Sequence, residues 1–367
     1  MKSRTNLIAV ITLITLALLI SSGCKKHASE ASQATVYSKV EYTGNSNISE
    51  PRWSLAAASA GSKILFAGGI NGPGTFSSKV DLYDISTGQW TTSLLSAPRG
   101  NLVAAGAGNT IWIGGGNDAS GASNVVDIYH VNTGLWSFAE LSSPRFSLAA
   151  VAAGNKVFFA GGAPADNVYV DQVDIFDATS GIREIAHLSE PRAFLTAAAI
   201  GNKVFFAGGF NASGKSKVVD IYDLSNGTWS TAELSEARFE LASAASGSKL
   251  LFAGGYSSPT TFSTKVDVYD SQTGQWAVDF LPFECGALSG VAAGNFILFA
   301  GGGNTTGLSK LVNIYNTASN TWSTAELNES RAFLASASCG TKIIFAGGKN
   351  GVNPTDISSV ADMFELK

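Results

Sequence analysis

Six arginines occupy equivalent positions that return every 46 or 47 residues along the chain: Arg52, Arg99, Arg145, Arg192, Arg238 and Arg331. Cys285 stands at the equivalent position between the last two. The planar guanidinium matches carboxylate and phosphate oxygens, and clustered positive charge attracts anions. If these positions face one another in the fold, the sequence predicts a ring that binds an anionic group of a ligand.

Glutamates close to these arginines offer a second interpretation. Five of them lie one or two residues before the repeated position: Glu50, Glu190, Glu236, Glu284 and Glu329. An ion pair with an arginine of the same or the adjacent repeat would neutralise the ring and make it structural. Both interpretations remain open on the sequence alone.

Residues for catalysis are poorly represented. His27, His130 and His187 recur near neither one another nor a plausible nucleophile, so no catalytic triad or histidine metal site is predicted. Aspartates occur once per repeat, which is a structural spacing: Asp81, Asp127, Asp174, Asp220 and Asp267. No phosphate-binding loop or EF-hand spacing is present. The sequence therefore predicts no catalytic residue, metal or cofactor.

The arginines belong to a longer repeat that also contains a double glycine. The first glycine of each pair falls at Gly68, Gly115, Gly161, Gly208, Gly254, Gly301 and Gly347. Each copy has four short segments separated by turn residues, as in FELASAAS, KLLFAGG, KVDVYD and QWAVDF. Seven copies at this period predict a solenoid or a propeller with a four-stranded antiparallel unit.

The spacing of the aromatic residues favours a propeller over a solenoid. A tryptophan follows a tyrosine by seven residues in five copies: Tyr83 and Trp90, Tyr129 and Trp136, Tyr222 and Trp229, Tyr269 and Trp276, Tyr315 and Trp322. With the double glycine and the Tyr-Asp pair, this pattern resembles the kelch repeat, whose members are β-propellers. The third copy departs from it, with Phe176 for the tyrosine and Gly181-Ile182-Arg183 for Gly-x-Trp.

The resemblance implies an all-β, seven-bladed kelch-type β-propeller over residues 34–367, with four antiparallel strands per blade. Alanine-rich segments suit the crowded innermost strands, and the apolar runs before the glycines suit second strands buried on both faces. Copy seven lacks a fourth strand, while Ala34 to Gly44 precedes the first Glu-Pro-Arg. We therefore predict that the N-terminal strand completes the last blade and closes the ring.

An up-and-down blade puts the arginine positions and the loops after the double glycines on one face, which we call the upper face. The aromatic residues just after the arginines either floor a site there or pack between blades, and we expect packing: Trp53, Phe146, Phe194, Phe239 and Phe333. Kelch propellers often bind partners at this face, so the resemblance implies a non-catalytic scaffold for a protein or glycan ligand. A carbohydrate-active enzyme and a propeller that makes only inter-subunit contacts are the alternatives.

The N-terminus has features of an export signal. Lys2 and Arg4 precede an apolar stretch, Leu7 to Ile20, and the following ISSGC resembles the lipobox of bacterial lipoproteins. This predicts a signal peptide over residues 1–23, lipidation of Cys24, and a tether to residue 33. Ser21 departs from the usual Leu, Val or Ile, so an ordinary cleaved secretory signal is the alternative. Either way the protein is exported, and we expect membrane contact only through the lipid, at the cell envelope.

Two cysteines remain, and the repeat places them apart. Cys285 takes an arginine position, whereas Cys339 lies at the far end of an innermost strand. Because such a strand is longer than a disulfide can span, we predict two free thiols. The formal net charge of −4 is too mild to select a partner class, and nothing indicates nucleic-acid binding. We expect a monomer.

Overall fold

The repeats fold as seven four-stranded antiparallel sheets in a computed structural model that describes residues 35–258 and 260–367. Every regular element in these two ranges is a β-strand. The innermost strands of successive sheets contact one another in cyclic order, and the seventh contacts the first. The predicted seven-bladed β-propeller is therefore confirmed. The predicted signal peptide, the predicted lipidation site Cys24 and the predicted tether lie outside the described residues.

The blades have strands of similar length, numbered from the axis outward. Blade 1 has Ala56–Ala60, Lys63–Ala67, Lys79–Asp84 and Gln89–Leu94. Blade 2 has Val103–Ala107, Thr110–Gly114, Val125–His130 and Leu135–Glu140. Blade 3 has Ala149–Ala153, Lys156–Ala160, Gln172–Asp177 and Arg183–His187. Blade 4 has Thr196–Ile200, Lys203–Ala207, Val218–Asp223 and Thr228–Glu233.

The remaining three blades follow the same plan. Blade 5 has Ala242–Ser246, Lys249–Ala253, Lys265–Asp270 and Gln275–Phe280. Blade 6 has Ser289–Ala293, Phe296–Ala300, Leu311–Asn316 and Thr321–Glu326. Blade 7 has Ala335–Cys339, Lys342–Ala346, Val360–Leu366 and, outermost, Val40–Asn47.

Short two-stranded ribbons occupy the loops after five of the double glycines. They are Ile70–Gly72 with Thr75–Phe76, Asn117–Asp118 with Gly121–Ala122, Phe210–Asn211 with Gly214–Lys215, Tyr256–Ser258 with Thr261–Phe262, and Gly303–Asn304 with Gly307–Leu308. Each loop begins beside an arginine position, because the residue after the glycines pairs with the residue after the arginine, as Ile70 does with Trp53. The variable loops therefore lie on the upper face, as predicted.

The core lies between blades. Each second strand is buried on both faces, as Ile64, Leu65 and Phe66 show with no exposed surface. Hydrophobic clusters join neighbouring blades, for example where the Phe205 ring of blade 4 lies 4.9 Å from the Tyr269 ring of blade 5. Burial of one such phenylalanine stabilises the fold by about 1.5–3 kcal/mol. The small alanine strands let seven such interfaces meet at the axis.

The repeated tyrosines and tryptophans belong to this core, as expected. The Tyr83 and Trp90 rings lie 5.1 Å apart, and the other four pairs have centroid separations of 4.9–5.2 Å. The tyrosine in each pair is buried. In the divergent third blade, Phe176 is also buried and packs edge-on against Phe159.

The N-terminal strand closes the ring, as predicted. Val40–Asn47 pairs antiparallel with Val360–Leu366, and a bulge shifts the register between Tyr42 and Gly44. Tyr42 packs edge-on against Phe364, with ring centroids 5.3 Å apart. The strand continues beyond Gly44, the expected end of this segment, to Asn47. Blade 7 is thus built from both ends of the propeller sequence.

Candidate functional site

The six arginines lie inside the blades. Each is fully buried, and each guanidinium forms an ion pair with the aspartate of the third strand of its own blade: Arg52 with Asp81, Arg99 with Asp127, Arg145 with Asp174, Arg192 with Asp220, Arg238 with Asp267, and Arg331 with Asp362. Burial lowers the pKa of these arginines, and the aspartates oppose that shift. The pairs satisfy charges that burial alone would penalise heavily.

The guanidiniums also bind backbone carbonyls. Arg238 donates to Gly254 O at 2.7 Å and to Lys265 O at 2.6 Å, which links its position to the end of the second strand and the start of the third. Equivalent bonds recur in other blades, as from Arg99 to Gly115 O and Val125 O. Each arginine thus connects three strands of one blade.

This geometry corrects the picture of six guanidiniums circling the channel. The arginines stay in separate blades, with no surface through which a ligand in the channel can reach them. The arginines pair with aspartates instead of the neighbouring glutamates that the sequence offered. Four of the glutamates accept hydrogen bonds from serine hydroxyls, as Glu236 does from Ser263 at 2.6 Å, and Glu284 accepts from Thr305. Among the six arginines, Arg192 also approaches its glutamate, Glu190, at 3.5 Å.

The arginine backbone joins neighbouring blades. The second glycine of each pair donates its N–H to the carbonyl at the arginine position of the next blade, at 2.7–3.0 Å. The last of these bonds runs from Gly348 to Arg52 and closes the circle at 2.8 Å. The first glycine must lack a side chain, since a Cβ on Gly68 would lie 2.6 Å from Arg99 O. The double glycine is therefore a contact between blades.

A second circle of hydrogen bonds surrounds the upper opening of the channel. It runs through the residue two positions after each arginine position, which we call the mouth ring: Ser54, Asn101, Ser147, Phe194, Glu240, Ala287 and Phe333. Each N–H donates to the carbonyl of the preceding member at 2.9–3.2 Å, and Ser54 N donates to Phe333 O. All seven have φ between 48° and 58°. Left-handed backbone at non-glycine residues costs about 1–3 kcal/mol each and tends to cluster at functional sites.

The mouth ring borders a cavity of about 400 Å³, which we call the mouth cavity. Its lining includes Trp53, Asn101, Phe194, Glu240 and Phe333. Leucines that follow the ring residues, such as Leu102 and Leu241, line it from below. The innermost strands then surround a further channel segment of about 300 Å³.

Glu240 is the one charged residue among those that line the mouth cavity. It is half-buried, and within the described parts of the chain its carboxylate accepts no hydrogen bond and forms no ion pair. Burial alone raises the pKa of Glu240 to about 7. The mouth cavity therefore contains an uncompensated acid next to aromatic side chains.

The kelch motif family model matches residues 52–92 and 191–233. These segments are blade 1 from its arginine to its outermost strand, and the corresponding part of blade 4. Two matched kelch motifs thus lie on a ring of seven four-stranded blades. The chain is a seven-bladed β-propeller with kelch motifs. No curated protein sequence gives a significant match to it. Kelch propellers commonly mediate protein binding.

The other sequence candidates are dispersed over the kelch propeller. His130 bonds Ser137 Oγ at 2.7 Å, and His187 lies 3.1 Å from Asp171. Between residues 35 and 367, leaving aside residue 259, no three His, Cys, Asp or Glu side chains lie close enough to hold a metal ion. In the same stretch no helix is long and apolar enough to cross a membrane.

The two cysteines are free thiols, as predicted. Cys285 Sγ donates to Gly301 O at 2.9 Å, near the upper face. Cys339 Sγ donates to Gly61 O at 3.1 Å, at the other end of an innermost strand. Burial raises the pKa of Cys285 to about 12, so this thiol stays protonated.

The sequence did not predict the mouth ring. Of the aromatics expected to pack between blades, Phe239 packs edge-on against Phe210 of the preceding blade at 5.4 Å, and Trp53 and Phe333 pack edge-on against each other at 5.5 Å. Trp53, Phe194 and Phe333 also line the mouth cavity. The sequence does contain a signal, because the residue two positions after the arginine varies among Ser, Asn, Phe, Glu and Ala, while the next residue is a leucine in all seven copies. Variation at one position inside a repeated motif indicates a side chain that the blade structure does not require.

Proposed function

We propose that this kelch propeller is a non-catalytic scaffold that binds a protein ligand over the mouth cavity and the upper-face loops. One observation carries the proposal: a closed backbone ring repeats in all seven blades while its side chains differ. Rigid frames with variable side chains and loops are the usual place for specificity. A concave, partly aromatic cavity is also the usual form of a binding site.

The alternative of a carbohydrate-active enzyme has less support. The common mechanisms of glycoside hydrolysis need two carboxyl groups on either side of the bond. Among the residues that line the mouth cavity, Glu240 is the one carboxyl group. A single acid among apolar and neutral polar side chains favours binding over hydrolysis.

A display screen tests the scaffold function. Peptide and glycan libraries are panned against the purified protein, and hits are measured again with a Phe194→Ala/Phe333→Ala variant. Ile182→Ala is the matched control, because Ile182 is a large apolar residue that is 66% exposed away from the mouth. We expect peptide hits that the mouth variant loses and the control keeps, with both variants melting cooperatively. Peptide hits that bind the mouth variant as tightly as the wild type, or glycan hits alone, would contradict the proposal.

We also propose that the propeller acts at the cell envelope, exported and attached through a lipid on Cys24. The support is the N-terminal sequence alone, with its basic start, apolar stretch and ISSGC. The test is the mass and membrane association of the mature protein in bacteria that export it. We expect a lipid mass on Cys24 that Cys24→Ser abolishes together with membrane association. A mature N-terminus at another residue would leave only the secretory alternative.

A further inference from the structure

We propose that the mouth cavity binds a basic side chain, lysine or arginine, presented by the protein ligand. The cation would face Glu240, and its alkyl stem would lie against Phe194 and Phe333. This inference rests on the proposed function, because it names the group that the bound protein inserts.

The charge of the cavity determines the class of ligand. Thirteen residues line it, and they comprise one acid, no base, three neutral polar residues and nine apolar or aromatic ones. An anionic ligand would meet a carboxylate with no cation beside it. A basic side chain would instead supply the charge that Glu240 lacks, in surroundings where water screens poorly.

The ionisable groups near Glu240 do not neutralise its carboxylate. Arg238 lies two residues before Glu240, but it is fully buried and paired with Asp267. Tyr256 is close enough to Glu240 to interact with its charge, and Cys285 lies close to Tyr256 in turn. The pKa of each of these two groups is raised to about 12, mainly by burial. Both are neutral near pH 7, so neither neutralises the carboxylate.

The aromatic residues favour an organic cation over a metal ion. Calcium takes six to eight oxygen ligands, whereas the side chains of this cavity offer one carboxylate, two serine hydroxyls and one amide among nine apolar or aromatic residues. Ammonium and guanidinium groups are attracted to aromatic faces, and their stems bury apolar surface. Trp53 contributes less, because the Lys349 ammonium already lies 5.7 Å from its ring centroid. Phe194 and Phe333 line the same cavity and can contact the stem, Phe333 while it packs edge-on against Trp53 at 5.5 Å.

The test uses the full chain and two matched peptides, acetyl-Gly-Lys-Gly-amide and acetyl-Gly-norleucine-Gly-amide. They differ in the ammonium group, so their affinity ratio isolates the charge. Binding is measured by NMR titration at millimolar peptide and low salt. We expect the lysine peptide to bind about fivefold or more tightly than the norleucine peptide at pH 8.

Two variants separate charge from shape. Glu240→Gln keeps the size of the side chain and should reduce lysine binding to the norleucine level, whereas Phe194→Ala should weaken both peptides. For the wild type, lysine affinity should rise severalfold, and by at most about tenfold, from pH 6 to pH 8 as Glu240 ionises, and the Gln variant should show no such rise. Equal affinities for the two peptides, absent lysine binding, or unchanged lysine binding in Glu240→Gln would overturn the inference.

The outcomes also separate this inference from the scaffold function. If display hits depend on Phe194 and Phe333 but not on Glu240 or a basic residue, the scaffold stands and the cation inference fails. If no hit depends on the mouth and the lysine peptide does not bind, both fail.

Discussion

Cys285 and Asn313 occupy in blade 6 the positions that a buried arginine and its aspartate occupy in the other six blades. Cys285 donates to Gly301 O, the carbonyl equivalent to Gly254 O, which accepts from Arg238 in blade 5. Asn313 is also buried, and its Oδ1 has no hydrogen-bond partner among the described residues. Both charges are missing together, so blade 6 keeps no lone buried ion.

Single substitutions in blade 6 should be costly, and the double substitution should not. Cys285→Arg and Asn313→Asp each bury one unpaired charge, which should lower the free energy of unfolding by about 3 kcal/mol or more. Together they recreate the ion pair of the other blades, so the double variant should recover most of that loss. A double-mutant cycle in chemical denaturation measures the coupling. Additive losses would show that the pair cannot form in this blade.

The first glycine of each double glycine should resist substitution because of a contact as well as its backbone angle. Gly254 has φ 64°, and a Cβ there would lie 2.4 Å from Cys285 O. Gly74 also has φ 64°, but no atom lies within 4 Å of its Cβ position. We expect Gly74→Ala to cost about 1 kcal/mol, from the backbone alone, and Gly254→Ala about 3 kcal/mol or more. Equal losses in thermal or chemical unfolding would exclude the clash.

The raised pKa of Glu240 should make stability fall as the pH rises. Below its ordinary pKa of 4.5 the group is protonated in both states; between 4.5 and about 7 the unfolded chain loses the proton that the folded protein keeps. Folding stability contributed by this group is therefore lost over that range. From pH 4 to pH 8, the unfolding free energy of Glu240→Gln relative to wild type should increase by roughly 1–3 kcal/mol.

Comparing the two proteins at each pH removes the effect of the other titrating groups. The measurement is urea unfolding across the pH range. A difference that stays constant from pH 4 to pH 8 would mean that Glu240 has an ordinary pKa and is well solvated.

Closure by the N-terminal strand should be needed for a monomeric, cooperative fold. Deletion of residues 36–47 would leave the Val360–Leu366 strand as an open edge with unpaired backbone groups. We expect a loss of at least about 3 kcal/mol in unfolding free energy and concentration-dependent self-association. Light scattering after size exclusion measures the second effect. A deleted protein that stays monomeric with unchanged stability would show that blade 7 does not need this strand.

The sequence predicted the frame of this protein better than its site, and the residues explain why. Gly68 and its six equivalents repeat in every blade, and the Tyr–Trp pairs in five, because they pack where blades meet, so their spacing reveals the propeller. The partner of Arg52 was harder to assign, because Glu50 is close in sequence while Asp81 becomes close only when the third strand folds back. Glu240 carries no repeat signal at all. Its importance depends on burial beside Phe194 of another blade, which no local pattern encodes.

The mouth ring has a consequence for how this protein can change. Its hydrogen bonds use only main-chain atoms, so the frame does not depend on which side chain each position carries. Seven positions, one per blade, already accommodate a hydroxyl, an amide, a carboxylate, a methyl group and a phenyl ring in the same backbone conformation. New ligand preferences can therefore arise by exchanging single residues around the opening, with little cost to folding. The seven mouth-ring positions can therefore be varied independently of one another. Libraries that vary these seven codons are a direct route to propellers with chosen specificity.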